Sequence, residues 1–151
     1  MEKTVIEIKT LEEIENVLSL FKETLASLHR SEEYRNVMAR KFASSGIVFC
    51  LKNTDCVIIA FAAFYCNDEI SRIAYLSMIA VNPENQGQGL GKILLKSIEE
   101  YSIDRRMEKM RLAVSKKNSN AIRFYESNGY KLVEEKEFFL YYQKDFIPRT
   151  L

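Results

Sequence analysis

The stretch MIAVNPENQGQGLGKILL, residues 78–95, decides how this chain is read. An apolar run ends at Val81. Gly87, Gly89 and Gly91 follow at every second position, and an apolar pattern of helical spacing then begins. The chain holds only five glycines, so three of them this close together require a local reason. The first turn of a helix carries unpaired N–H groups and a partial positive charge. Together these attract anions, phosphates above all. Glycines at that point let a phosphate rest on the backbone and let successive N–H groups converge on it. The expected visitor to residues 86–91 is therefore a phosphate.

Two common phosphate motifs fail. A P-loop needs G-x-x-x-x-G-K-[ST], but Gln86 stands where its first glycine belongs and Ile93 where its Ser or Thr belongs. A dinucleotide fingerprint needs G-x-G-x-x-G near the first strand. Here the spacing is G-x-G-x-G, and several strands come before it.

Working outward, VIIAFAAFYC (57–66) is the longest apolar run. A membrane span needs about 20 such residues, so the run reads as a strand buried on both faces. IVFCLK (47–52) and IAYLSMIAV (73–81) flank it across short turns, which predicts an antiparallel meander. After the glycines, Leu90, Ile93, Leu94, Ile98 and Tyr101 share one face of a predicted helix. KMRLAV (109–114) is the next strand. Strand, helix, strand over 73–114 is a crossover, which makes those two strands parallel.

Toward the N-terminus, TVIEIK (4–9) reads as a first strand. Thr10 and Glu13 form a capping box, and Leu11, Ile14, Val17, Leu18, Phe21, Leu25 and Leu28 recur at helical spacing. A second helix follows Ser31 through Tyr34, Val37, Met38 and Phe42, closed by SSG (44–46). Toward the C-terminus, NAIRFYESNG is a short helix with Gly129 as its C′ residue. YKLVEE and EFFLYYQK then form a hairpin. Phe138, Phe139, Tyr141 and Tyr142 read as strand core and as a candidate homodimer interface through an exposed C-terminal strand. The expected fold is α/β: a single domain over residues 1–151, with a mixed, mostly antiparallel sheet of about seven strands, a central parallel pair and about four helices.

Composition agrees with a globular chain: 47% hydrophobic and 28% charged, with a net charge of +1. That charge gives no basic footprint for nucleic acid, and neither nucleic acid nor membrane is an expected partner. MEKTVIEIKT carries acids and no long apolar core, unlike a signal peptide. Cys50, Cys56 and Cys66 form no CxxC pair and read as buried, reduced thiols of a cytoplasmic protein. Cys66, near a strand end, reads as a small buried hydrophobe. The single histidine, His29, rules out a His-rich metal site, and no metal is expected.

The pattern that does fit the loop is Q-x-x-G-x-G, at Gln86, Gly89 and Gly91. It resembles the acetyl-CoA-binding segment of the GNAT superfamily of N-acetyltransferases. NSNAIRFYESNGYKLV (118–133) is similar to that family's Asn-x-x-Ala-x-x-apolar-Tyr-x-x-x-Gly-aromatic segment. The two segments cover a little over a third of the chain, and the element order extends the likeness.

The resemblance implies acetyl-CoA as acetyl donor and an amine as acceptor. It implies that Gln86, Gly87, Gln88, Gly89, Gly91 and Lys92 hold the pyrophosphate, chiefly through backbone N–H groups. The strand at Ile79 and Val81 would pair with the pantetheine arm. Asn118 would bond to the cofactor, an N–H near Ile79 would face the developing oxyanion, and Tyr125 would protonate the departing thiolate. A phenol of pKa near 10 holds its proton at neutral pH and can serve that role. HRSEEYR (29–35) falls where the family's variable helices shape the amine pocket.

One feature departs from the family. Glu or His often stands as general base on the strand before the glycines, but Tyr75 and Ser77 occupy those positions here. Asp68, Glu69 and Glu84 could act through water, although solvated loop carboxylates are the simpler reading. This favours an acceptor of lowered pKa, such as an α-amine, an amino sugar or an arylamine. Two other readings stay open: a non-catalytic acyl-CoA-binding or regulatory module, and a plain structural domain that leaves the glycines unexplained.

Overall fold

A computed structural model describes residues 4–147; the ends of the expected 1–151 domain lie outside the described residues. Seven strands form one sheet in the order β1-β2-β3-β4-β5-β7-β6. In chain order these are β1 Val5–Ile8, β2 Ile47–Lys52, β3 Ile58–Tyr65, β4 Ile73–Val81, β5 Lys109–Ser115, β6 Lys131–Glu135 and β7 Phe139–Asp145. The helices are α1 Leu11–Leu20, α2 Glu32–Ser45, α3 Leu90–Asp104 and α4 Ser119–Ser127. Among the described residues only β4 and β5 pair in parallel, as the crossover through α3 requires; every other pair there is antiparallel. Among the described residues no helix is long and apolar enough to cross a membrane.

The strand alternation sorts side chains into two layers. Ala60, Ala62 and Phe64 of β3 pack with Leu90, Leu94, Leu95 and Ile98 of α3 and with Tyr125 of α4. Phe61 and Ala63 face the other way, against Ile14, Val17 and Leu18 of α1 and Ala39 and Phe42 of α2. β3 is thus covered on both faces, which explains its unbroken apolar sequence.

Local signals act as expected at several helix ends. The Thr10 hydroxyl accepts from the Glu13 N–H at 3.2 Å. Ser31 caps α2 in the same way, through the Tyr34 N–H at 3.0 Å. Gly129 takes φ +92 just beyond α4.

Other expectations are corrected. The first helix stops at Leu20 and does not run to Leu28. Tight i→i+3 bonds, such as Thr24 N–H to Phe21 O and Leu28 N–H to Leu25 O (both 3.0 Å), replace it with turns. Leu28 still reaches the core, whereas Leu11 stays 39% exposed. On α2, Ala39 is buried and Val37 exposed. On α3, the buried line runs through Leu90, Leu94, Leu95 and Ile98, so Ile93 turns outward. Cys50 is buried but Cys56 is exposed, in the β2–β3 turn.

Phe138 and Phe139 are not core either. They are 67% and 47% exposed. Tyr142 faces the α3–α4 layer and is buried, but the α1–α2 layer covers only the β1–β4 half of the sheet. The last strand, β7, lies between β5 and β6, so the sheet edge at this end belongs to β6, and β1 forms the other edge.

Candidate functional site

β4 and β5 pair from Ile73/Lys109 to Leu76/Leu112 and no further. β4 nevertheless continues to Val81, held by β3, and β5 to Ser115, held by β7. Two halves of one sheet therefore diverge beyond Leu76. A bulge marks the point of parting: Phe64 opposes Leu76 and Ala63 opposes Met78, leaving Ser77 unmatched. Such bulges bend a strand and increase its twist.

A cavity of about 620 Å³ fills the gap. On one face of the sheet it meets Ala121, Phe124 and Tyr125 of α4; on the other it meets Thr24, Leu25 and Ser27, in the turns after α1. It therefore passes through the sheet. A second cavity of about 470 Å³ shares Val81, Gln86, Gly87, Gly91 and Phe124 with it and continues over Gly89 and Lys92 at the start of α3.

The loop between β4 and α3 is built by short-range bonds. Asn82 caps a 3-10 turn, Pro83–Asn85, through the Glu84 N–H. The Gln86 side-chain amide donates to the Val81 carbonyl at 3.1 Å and ties the loop to the end of β4. Gly87 and Gly89 have φ of +81 and +77, the left-handed region that L side chains disfavour. A Cβ at either would meet nothing within 4 Å, so backbone conformation is what demands glycine there. Gly89 is the N-cap of α3 and supplies no side-chain oxygen, leaving the first-turn N–H groups to an external acceptor.

Gly91 has a different cause. Its Cβ would stand 3.3 Å from Cζ of Phe124, so the missing side chain lets α3 and α4 approach. Two of the three glycines thus shape the loop, and the third sets helix packing.

Tyr125 is 8% exposed and lines the cavity. Its ring stands edge to face with Phe124 and Tyr130, and no described residue bonds to its hydroxyl. Burial pushes its pKa above the ordinary phenol value. Asn118 lines the same cavity. Its Oδ1 is committed to the Ala121 N–H at 3.1 Å as the cap of α4, which leaves its Nδ2 as the group that can donate to a ligand. Ile79 and Val81 lie along the cavity floor. Gln88 is the one expected loop residue that lines neither cavity.

The base candidates are not gathered at the site. Ser77 lines the cavity but Tyr75 does not. Burial raises the Tyr75 pKa, the Tyr141 phenol adds to this, and Arg111 opposes it. Asp68 accepts from the N–H groups of Ile70 and Ser71 in the β3–β4 turn, at the opposite end of β4 from the glycines. Those bonds, Ser71 first, hold its pKa below the usual carboxylate value. Asp68, Glu69 and Glu84 line neither cavity. Cys66 is also elsewhere, with its Sγ 3.2 Å from the Ser102 hydroxyl.

Residues 29–35 likewise miss the cavity; Thr24, Leu25 and Ser27, just upstream, take that place. Sequence reasoning passed over those three because it assigned them to a continuous helix. It also passed over Glu99, an acid on the apolar face of α3, buried to 9% exposure. An acid in that position is a signal the sequence does carry.

Residues 11–130 match the Acetyltransferase (GNAT) family. The chain is 36% identical over 66 residues to thialysine N-epsilon-acetyltransferase of Sus scrofa, covering 44% of this chain and 39% of that protein. The same protein of Bos taurus aligns equally well. These matches span only 39% of the curated relatives. Among solved structures, PaiA N-acetyltransferase from Thermoplasma acidophilum, in complex with coenzyme A, superposes with a TM-score of 0.71 at 21% identity, over 95% of this chain and 99% of that one. A chimera of spermidine N-acetyltransferase SpeG from Vibrio cholerae and hSSAT gives 0.77 at 18% identity, over 96% of each chain. At such identities the likeness is one of fold. The matched span of 11–130, with its splayed parallel pair and glycine loop, makes the chain a member of the GNAT acetyltransferase family.

Proposed function

We propose that the chain, residues 1–151, acts as one acetyltransferase domain that moves an acetyl group from acetyl-CoA to a primary amine of a small molecule or peptide. The carrying observation is the cavity through the sheet, with the glycine loop along one end and Tyr125 in its wall. The residues present fit the donor. The loop offers left-handed glycines open above the backbone, and the helix start offers uncapped N–H groups and Lys92. The unpaired stretch of β4 beyond Leu76 leaves its backbone edge toward β5 available to an extended arm.

When bound, acetyl-CoA supplies an acyl group activated as a thioester. Gln86 to Gly91 and Lys92 then hold the pyrophosphate, through N–H groups and the Lys92 ammonium. Ile79 and Val81 align the pantetheine arm, and the Asn118 Nδ2 donates to it. The Ile79 N–H donates to the carbonyl oxygen as charge gathers there. Tyr125, kept protonated by burial, gives its proton to the leaving sulfur. The amine comes from the Thr24–Ser27 side and attacks directly. Among the described residues no carboxylate lines either cavity, so water takes the amine's proton and the site contributes mainly by positioning. The unpaired thiols agree with a cytoplasmic setting. For association of two copies, the C-terminal half of the chain offers the edge of β6 and not that of β7.

The same missing carboxylate favours a second reading, a non-catalytic acyl-CoA-binding module. Free-thiol release from acetyl-CoA with a panel of amines separates the two. Release above the amine-free rate supports transfer. Binding of coenzyme A without release leaves only the module.

A further inference from the structure

Charge is distributed unevenly along the two joined cavities. The smaller one, over the start of α3, has Lys92 in its wall. Among the described residues, the larger one is lined by no Asp, Glu, Lys, Arg or His. Its polar side chains are those of Thr24, Ser27, Ser77, Ser115 and Tyr125, which carry hydroxyls, and of Gln86, Asn118 and Asn120, which carry amides. On the face where the amine would enter, Thr24 and Ser27 are the hydroxyls that come from outside the sheet.

Charged neighbours of the lining residues stay outside the cavity. Glu23, beside Thr24, stands 3.2 Å from His29. Arg111, two residues before Ala113 on β5, pairs with Glu134 at 2.6 Å and lies over the Tyr141 ring. Among the described residues, the lining thus offers no carboxylate to a second ammonium and no cation to a carboxylate.

A charge that leaves water must find a partner or bear a large desolvation cost. A hydroxyl or amide faces a smaller demand, because Thr, Ser and Asn can replace the water it gives up. We propose that the acceptor is a monoamine whose remainder is uncharged and carries hydroxyl or amide groups, and that Thr24 and Ser27 read that remainder. An amino sugar is the simplest member of this class. A polyamine, a diamine and a free amino acid fall outside it. The inference rests on the acetyl-transfer reading above.

The test uses the purified full chain with acetyl-CoA and follows thiol release. Glucosamine, ethanolamine, putrescine, spermidine and lysine are compared, with kcat/KM expressed per neutral amine so that differences in the protonated fraction drop out. The hydroxylated monoamines are expected to lead putrescine and spermidine by at least about tenfold, one unpaired buried charge being worth no less. Ser27→Asp places a carboxylate at the entrance. It is expected to shift the putrescine-to-glucosamine ratio toward putrescine by about tenfold or more, with the coenzyme A-induced rise in Tm unchanged. A polyamine or lysine leading the wild-type panel overturns the inference alone, as does a ratio that Ser27→Asp leaves in place. Thiol release that no amine raises above the amine-free rate, while coenzyme A still raises Tm, overturns the transfer reading and this inference with it.

Discussion

The hydroxyl of Tyr130 donates to Oε2 of Glu99 at 2.7 Å. The Tyr130 ring stands edge to face against Tyr125, 5.8 Å between centroids. Lys144 of β7 bonds the other carboxyl oxygen of Glu99 at 3.0 Å. The Tyr130 N–H also closes onto the Tyr125 carbonyl at 3.0 Å. One buried acid on α3 thus joins the last strand to the residue behind Tyr125. Replacing Tyr130 by Phe leaves Oε2 without its donor in a buried place, which costs about 1–3 kcal/mol. Urea unfolding of Tyr130→Phe should show that loss. Turnover should fall as well, because the ring backing Tyr125 is no longer anchored, while the coenzyme A thermal shift persists.

Tyr125→Phe should give the opposite pattern. The hydroxyl has no described partner, so its removal leaves little to destabilise. Turnover should drop roughly 10²-fold, in the range of general acid catalysis. Unfolding and the coenzyme A-induced Tm rise should stay near wild type. Normal turnover would return Tyr125 to a packing role.

The glycines separate by cause, and substitutions should do likewise. Gly89→Ala forces an L side chain into φ +77 and should cost about 1–2 kcal/mol. Gly89→Glu adds a negative charge where the pyrophosphate is proposed to sit. It should abolish the rise in Tm that coenzyme A produces in wild type, a rise expected of any ligand that binds only the folded state. Gly91→Leu should act through packing, since the side chain runs into Phe124. A full thermal shift in Gly89→Glu would move the phosphate site elsewhere.

The order of elements along the chain, the crossover and the two glycine-bearing segments were legible because each rests on short-range chemistry; the insertion of β7 between β5 and β6 was not. Apolar runs bounded by turn residues, Thr10 and Ser31 at caps, and Gly129 at a C′ position are all readable within a few residues. What was not legible depends on which layer covers which strands. Phe138 and Phe139 look like core until the α1–α2 layer is seen to stop short of β7. Leu25 and Leu28 continue a helical spacing that the backbone abandons, because turns can deliver the same leucines to the core. Gly91 looked like a phosphate-loop glycine until α4 brought Phe124 against it.

The last prediction concerns alkaline pH. Burial pushes the Cys50 thiol up to about 12. Tyr125 and Tyr130 are also raised by burial, Tyr130 further by Glu99. In each group the folded state holds its proton more tightly than the unfolded chain does. As pH rises past the unfolded values, the unfolded chain loses protons that the folded one keeps. The unfolded state is thereby favoured. The stability these groups contribute is complete below about pH 8.5, the ordinary thiol value, and is lost progressively as pH climbs toward the folded values. Urea midpoints should therefore hold steady from pH 7 to 8 and decline between pH 9 and 11. Cys50→Ala should make the early part of that decline shallower, since the thiol ionises before the phenols in the unfolded chain. Turnover measured below the onset of unfolding should rise with pH as the acceptor amine loses its proton, then level off. It should not fall there through ionisation of Tyr125, because burial holds that proton. Flat urea midpoints across pH 9–11 would show that these groups titrate alike in both states. A turnover decline near the ordinary phenol pKa, with folding intact, would place the Tyr125 hydroxyl in water.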